Sequence, residues 1–290
     1  MSHYALEIDG GGAWGVGVAK FIYLYEEMTQ KKFGDNFIAF SGSSTGAIIA
    51  AMLNEGYSGK EIYEMYKSNL SKIFKKFPLY KRTFLKKPKY DNSDLVSLLK
   101  EYLKGNMSDF KHPIYIPAAN TIGVSKEKVF DLGDKDIPKW LAVVASTSAP
   151  TYFEPRKDTN GKMRYLDGSI WCNSPISVMQ AGLVGSEYED GLKILSLGTA
   201  GAIAGTGIDN MYILGWAEYL TSQWLCDAGQ SQLYMARKNI GYDNVLRIVP
   251  LLNKEDQYKM DNISKAKDME NIWERMFLYS KGSVQKFLNS

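Results

Sequence analysis

The chain has 290 residues, of which 45% are hydrophobic, 13% aromatic and 23% charged. That length and composition describe a packed globule rather than a disordered segment, and one α/β domain spanning residues 1–290 is expected. The net charge of +3 is too small to mark a nucleic-acid-binding domain, so no nucleic-acid partner is expected.

Strand and helix signals alternate along the chain. His3 to Asp9 reads as a strand, followed by Gly10-Gly11-Gly12 and an apolar helical stretch to about Met28. With a strand this early, and no basic segment leading into an apolar run, no signal peptide is expected. No uninterrupted apolar stretch reaches the roughly 18 residues of a spanning helix, which points to a cytoplasmic protein that meets a membrane, if at all, from one side. Phe37 to Phe40 is a short buried strand, and a helix of small residues runs from Ser44 to Leu53. Ser58 caps a helix over Gly59 to Leu70, and Asn92 or Ser93 caps another reaching Leu103. Pro113 to Ala119 reads as a strand, with a hairpin over Thr121 to Leu132. Ile137 to Ser146 is helical and stops before Pro150. Asn160-Gly161 is a hairpin-turn pair leading into a strand over Lys162 to Leu166, which ends at Asp167. Ser174-Pro175 opens a helix, Lys193 to Leu197 and Val245 to Val249 are strands, and Asn210 to Arg237 and Glu255 to Phe287 are helical. This alternation predicts a three-layer α/β/α sandwich on a mostly parallel sheet.

Chemistry concentrates at two strand-to-helix turns. Gly42-Ser43-Ser44-Thr45-Gly46 follows a buried strand and opens a helix, the setting of a nucleophile elbow. Ser44 then lies at a helix N-terminus, where negative charge is favoured, and the Thr45 N–H points toward a developing oxyanion. A plain turn with a capping serine fits the same five residues. Asp9-Gly10-Gly11-Gly12-Ala13-Trp14-Gly15 offers several N–H groups to an anion or oxyanion. Its glycines also match a dinucleotide fingerprint, which leaves a non-catalytic nucleotide-binding module as an alternative. That fingerprint wants an acidic residue ending the second strand, whereas Ser41-Gly42-Ser43 stands there.

Histidine separates the hydrolase types. The only two are His3 and His112, so no histidine follows a downstream acid as an α/β-hydrolase triad requires, and the usual zinc sites are excluded with it. Asp167, at a strand end before Gly168, is the candidate base; burial would raise its pKa toward the working range. Asp167-Gly168 is equally a common turn dipeptide. The two cysteines, Cys172 and Cys226, read as free thiols.

The glycine-rich turn, the elbow and the distant Asp167-Gly168-Ser169, in this order, resemble the patatin-like phospholipase family. Ala145 to Phe153 and Leu195 to Thr199 add to the likeness. The resemblance implies a Ser44–Asp167 dyad and an oxyanion hole from Gly10, Gly11 and Gly12 with Thr45. It makes Gly15, Gly42, Gly46 and Gly168 motif glycines, and implies no metal or other cofactor. It also implies hydrolysis of phospholipid or lysophospholipid acyl esters; acyl transfer or cleavage of a non-lipid ester by the same dyad is the alternative. Trp14 stands where the family often has a basic residue, and Ser169 where it has Ala or Gly. Finally, Lys72 to Tyr90 interleaves eight basic residues with aromatics. It reads either as a solvated loop or as a segment that docks on an anionic membrane surface.

Overall fold

The computed structural model describes residues 2–77, 88–202, 225–253 and 259–290. Its main sheet is built from β1 (His3–Ile8), β2 (Ala39–Gly42), β3 (Ile114–Asn120), β4 (Glu127–Phe130), β5 (Arg156–Lys157), β6 (Arg164–Asp167), β7 (Leu192–Leu197) and β9 (Val245–Ile248). The order is β5-β6-β3-β2-β1-β7-β9, with β4 also on β3. β3, β2, β1, β7 and β9 run parallel, β4 and β6 pair antiparallel with β3, and β5 pairs antiparallel with β6. A small pair, β8 (Gly201–Ala202) and β10 (Leu251–Leu252), lies apart.

Helices cover both faces, and the alternation of side chains along each strand decides which residue meets which layer. Leu6, Ile8, Phe40, Ile114, Ile116, Leu195 and Leu197 point to one side. There they pack under α1 (Gly15–Thr29), α2 (Thr45–Asn54), α3 (Gly59–Ile73), α5 (Lys139–Ser146) and α8 (Ala266–Leu288). Their in-between neighbours Ala5, Ala39, Tyr115, Ile194 and Val245 point to the other side. They meet Ile176, Met179 and Leu183 of α6 (Ile176–Leu183) and Leu233 and Ala236 of α7 (Leu225–Ile240). The remaining helix, α4 (Ser93–Tyr102), buries Leu95 and Leu99. This is the expected three-layer α/β/α sandwich.

Several boundaries differ from the sequence reading. β2 covers 39–42 rather than 37–40, because Ser41 and Gly42 pair with Glu7 and Ile8 while Phe37 turns into the core against Phe33 and Phe40. The first arm of the expected hairpin is β3 itself, with β4 returning along it. The last helix begins at Ala266, and a 3-10 turn over Ile263–Lys265 precedes it. Residues 210–224, including Trp216 and Trp224, lie outside the described residues, as do 78–87 of the basic stretch. Among the described residues, no helix is long and apolar enough to cross a membrane.

Because β1 and β2 are parallel neighbours, the turns that follow them emerge at the same end of the sheet. β3 pairs with β2 only through Ile114 and Tyr115, then continues past the end of β2. β6 lies antiparallel along that overhang, with Asp167 opposite Ala118. Counting from the Ser41–Tyr115 pair, Ala118 is level with the residues just beyond Gly42. The register therefore carries Asp167 to the elbow.

Candidate active site

Ser44 occupies the turn between β2 and α2 with φ 52° and ψ −121°, a conformation that non-glycine residues rarely adopt. Such strain persists only where the surroundings enforce it. Here a Cβ on Gly42 would stand 2.3 Å from the Gly46 carbonyl oxygen, and one on Gly46 2.1 Å from that of Ile8. Only glycine lets the turn close this tightly against β1. The Ser44 N–H donates to the Ser146 hydroxyl at 3.0 Å, and its side chain makes no capping bond to α2. The capping alternative is thereby removed, and the hydroxyl is directed elsewhere.

Its partner is Asp167. The carboxyl is buried, and burial pushes its pKa up to about 6. The Ser169 N–H, 2.8 Å from Oδ1, pulls the other way, together with hydrogen bonds from the hydroxyls of Ser44 and Ser169. The Ser169 hydroxyl also meets Ser43 Oγ at 3.2 Å, so the serine that departs from the family pattern joins the polar contacts of the site. The sequence reading placed Asp167 at the end of a strand in a mostly parallel sheet. It instead ends an antiparallel strand lying on the β3 overhang. A Cβ on Gly168 would stand 2.2 Å from the Pro117 carbonyl oxygen, which keeps β6 close to β3.

The glycine-rich turn closes the third side. A Cβ on Gly10 would stand 3.2 Å from that of Ser44, and one on Gly15 2.2 Å from Thr45 Oγ1. Gly10 drops out as an oxyanion donor, because its N–H donates to the Asn173 carbonyl at 3.0 Å. The Ala13 N–H is likewise taken by the Met260 carbonyl at 2.7 Å. Among the described residues, the N–H groups of Gly11, Gly12 and Thr45 have no partner. Thr45 is fixed by Tyr66, whose hydroxyl lies 2.5 Å from Thr45 Oγ1 and donates to the Thr45 carbonyl at 3.1 Å. Trp14 is buried in the core.

The histidines are placed away from this chemistry. His112 has its N–H and carbonyl bound by the Asn54 side chain and its ring 6.0 Å from Phe40. His3, at the opposite end of β1 from the site, packs on Tyr188. Among the described residues, no cluster of three or more His, Cys, Asp or Glu side chains could hold a metal. Cys172 is a free, buried thiol.

A cleft of about 420 Å³, including its open mouth, leads away from Ser44, Thr45 and Gly12. Ile48, Ile73, Leu95 and Phe153 make its wall apolar. The two ends of the basic stretch meet at this wall: Phe74 and Tyr90 contact each other and Phe153, and Lys76 bridges to Tyr90. Two of its cations are neutralised by acids distant in sequence, Lys75 by Asp94 at 3.1 Å and Lys89 by Asp261. The neighbouring Lys and Tyr90 hydroxyl hold Asp261 below the usual carboxylate range against the effect of its burial.

Several contributors carried no assigned role in the sequence. Ser146, Asn173 and Thr199 are small polar residues whose partners lie 100 to 190 positions away, Thr199 donating to the Gly10 carbonyl at 2.5 Å. Ser146 and Thr199 belong to the two additional stretches of family likeness; Asn173 has no local signal. Arg247, which grips Asp9, has none either.

Comparison with known proteins gives the family and the fold. A family model described as patatin-like phospholipase matches residues 6–179. The chain is 25% identical over 228 residues to a cGAMP-activated phospholipase of Vibrio cholerae serotype O1, covering 68% of this chain and 64% of that protein. It is 29% identical over 202 residues to a Patatin-like protein 2 of Oryza sativa subsp. indica, covering 59% of this chain and 50% of that protein. The chain thus spans between half and two-thirds of the length of these relatives. Human GIVD cytosolic phospholipase A2 shares the fold, with a TM-score of 0.52 at 11% identity over 99% of this chain and 60% of that one.

Proposed function

The chain belongs to the patatin-like phospholipase family, and on that basis we propose that it hydrolyses fatty-acyl esters of phospholipids or lysophospholipids through a Ser44–Asp167 dyad. The observation that carries the proposal is the buried pair itself. A serine held in a strained turn faces a carboxyl whose pKa burial has pushed up to about 6, beside an apolar cleft. An aspartate near its ordinary pKa is a weak base for a hydroxyl, and raising it by burial narrows the mismatch.

Ser44 Oγ attacks the ester carbonyl while Asp167 takes its proton. The tetrahedral oxyanion is received by the N–H groups of Gly11, Gly12 and Thr45, whose hydrogen bonds strengthen as charge develops. Collapse expels the alcohol portion of the lipid, which leaves with the proton held by Asp167. The acyl chain stays on Ser44, lying in the apolar cleft. Water, deprotonated by Asp167, then releases the fatty acid and restores the serine. No step calls on a metal or another cofactor.

The basic stretch Lys72–Tyr90 serves this reaction by docking the protein on an anionic membrane surface. Its two ends converge on the cleft wall, which would bring the lipid surface to the mouth of the site.

The test is direct. Purified protein incubated with mixed phospholipid and lysophospholipid vesicles should release free fatty acid, and Ser44→Ala should release none while retaining the wild-type circular dichroism. Fatty-acid release by well-folded Ser44→Ala would overturn the proposal. Acyl transfer to an added alcohol in place of release would favour the transferase alternative.

A further inference from the structure

The glycine-rich turn is anchored from outside the family-matched segment. Arg247 lies on the edge strand β9, in register with Ser196 of β7, and its side chain reaches across β7 toward the end of β1. There Nη1 donates to Asp9 Oδ1 at 2.8 Å and Nη2 donates to Asp9 Oδ2, so the guanidinium fork grips both carboxyl oxygens. Nη1 also donates to Ser196 Oγ at 2.7 Å and lies 3.5 Å from Glu7 Oε2. The side chains of Arg247 and Asp9 are only 9% and 8% exposed, and that of Glu7 is fully buried. Room for the fork comes from Gly198, where a Cβ would stand 2.6 Å from Nη2.

Asp9 is the first residue of the turn, directly ahead of Gly10 and two positions before Gly11. Its backbone N–H is tied to the Leu197 carbonyl, the Gly10 N–H to Asn173 and the Gly10 carbonyl to the Thr199 hydroxyl. The three glycines carry no side chains to hold their own conformation. The direction in which the Gly11 and Gly12 N–H groups point is therefore set by what grips the neighbouring residues: Asn173 and Thr199 at Gly10, Met260 at Ala13 and Arg247 at the Asp9 side chain. A planar bidentate fork fixes both position and rotation of a carboxyl, which a point charge does not.

We infer that Arg247 is a positioning residue for the oxyanion turn: its grip on Asp9 orients the N–H donors of Gly11 and Gly12. The inference rests on the acyl-hydrolase reading above and assigns a role in that reaction to the strand beyond residue 200. Oxyanion donors act only when aimed within a few tenths of an ångström of the developing charge, so loosening the turn affects the transition state more than ground-state binding.

The test uses Arg247→Lys, which keeps the charge and removes the fork. Wild type and variant are assayed on a short-chain ester and on its thionoester, in which sulfur replaces the carbonyl oxygen. Sulfur accepts hydrogen bonds poorly, so the oxo-to-thiono rate ratio reports how well the donors are aimed. It is independent of how much enzyme is folded, and a merely structural role would not move it. Arg247→Lys is expected to lower kcat on the oxo ester about tenfold or more with KM little changed, and to lower the ratio at least fivefold. Should that variant fold too poorly to assay, Ser196→Ala removes the hydroxyl that accepts from Nη1 and donates to Glu7, and a two- to threefold fall in the ratio is expected. An unchanged ratio in the variant assayed, with Ser44→Ala inactive, would overturn the positioning role and leave the dyad intact. Hydrolysis surviving Ser44→Ala would remove the reading on which the inference stands.

Discussion

Asp167 carries two opposed consequences of one burial. As the proposed base its carboxyl must be ionised, so kcat/KM should rise with pH through about 6, the value to which burial raises it. For folding the sign is reversed. A carboxyl whose folded pKa lies above its unfolded value of 3.8 favours the folded state below the unfolded pKa, and that advantage is lost as pH rises through about 6. Above that pH the wild type bears a buried charge that Asp167→Asn does not. The variant is therefore expected to lose ~10²–10⁴ in kcat. At pH 8 it should be more stable than wild type by about 2–3 kcal/mol, with the gap closing near pH 4. Urea denaturation at the two pH values measures this, and a variant less stable at pH 8 than at pH 4 relative to wild type would contradict it. Ser44 and Asp167 were legible in the sequence because each falls in a short local pattern of glycines at a strand end. Ser146, Asn173 and Arg247 were not, since each acts through a partner more than 100 positions away, and a lone small polar residue or arginine carries no local mark of that.

Helix starts were legible where a capping residue marked them and not elsewhere: the last helix begins at Ala266 rather than at Glu255. The expected cap at Ser58 is present as a reciprocal box: the Glu61 N–H donates to Ser58 Oγ at 3.2 Å and the Ser58 N–H to the Glu61 carboxyl at 2.8 Å. Ser58→Ala should cost ~1 kcal/mol of stability in denaturant titration and leave ester turnover unchanged, because α3 meets the site only through its later residues Tyr66 and Ile73. A loss well below half of that would mean that packing alone sets the start of α3. At Asn92 the expected cap is replaced by its neighbour, the Ser93 N–H donating to Asp91 Oδ1 at 2.9 Å. Two-residue strands such as β5, β8 and β10 give alternation nothing to register, and the direction of a strand is not written in its side chains. The antiparallel course of β6, which brings Asp167 level with the elbow, thus emerged only from its pairing with Ala118.

Across the whole molecule, the C-terminal region closes the site from behind. Trp273 of α8 packs edge-on against Phe21 of α1, with ring centroids 5.5 Å apart, and donates from Nε1 to the Thr199 carbonyl at 3.0 Å, while Arg247 grips Asp9. This role of residues beyond 200 was invisible in a sequence whose motif likeness stops at Thr199. Each Lys or Arg near an anionic lipid surface contributes about 1 kcal/mol, and screening reaches only ~8 Å at physiological ionic strength. Lys75 and Lys89 are already paired within the fold, so the cations changed are Lys72 and Lys76, with Lys86 and Lys87, which lie outside the described residues. Replacing these four with glutamine should weaken co-sedimentation with anionic vesicles at low salt at least tenfold and leave turnover of a soluble short-chain ester unchanged. Equal binding by variant and wild type would return the stretch to a solvated loop.

In the proposed mechanism a strained serine and a buried aspartate, with no histidine, form the reacting pair. Labelling with a fluorophosphonate probe, followed by peptide mapping, tests it most directly. A single adduct on Ser44 is expected, formed at wild-type rate in His112→Ala and at least a hundredfold more slowly in Asp167→Asn. An adduct on another residue, or slow labelling in His112→Ala with fast labelling in Asp167→Asn, would contradict it.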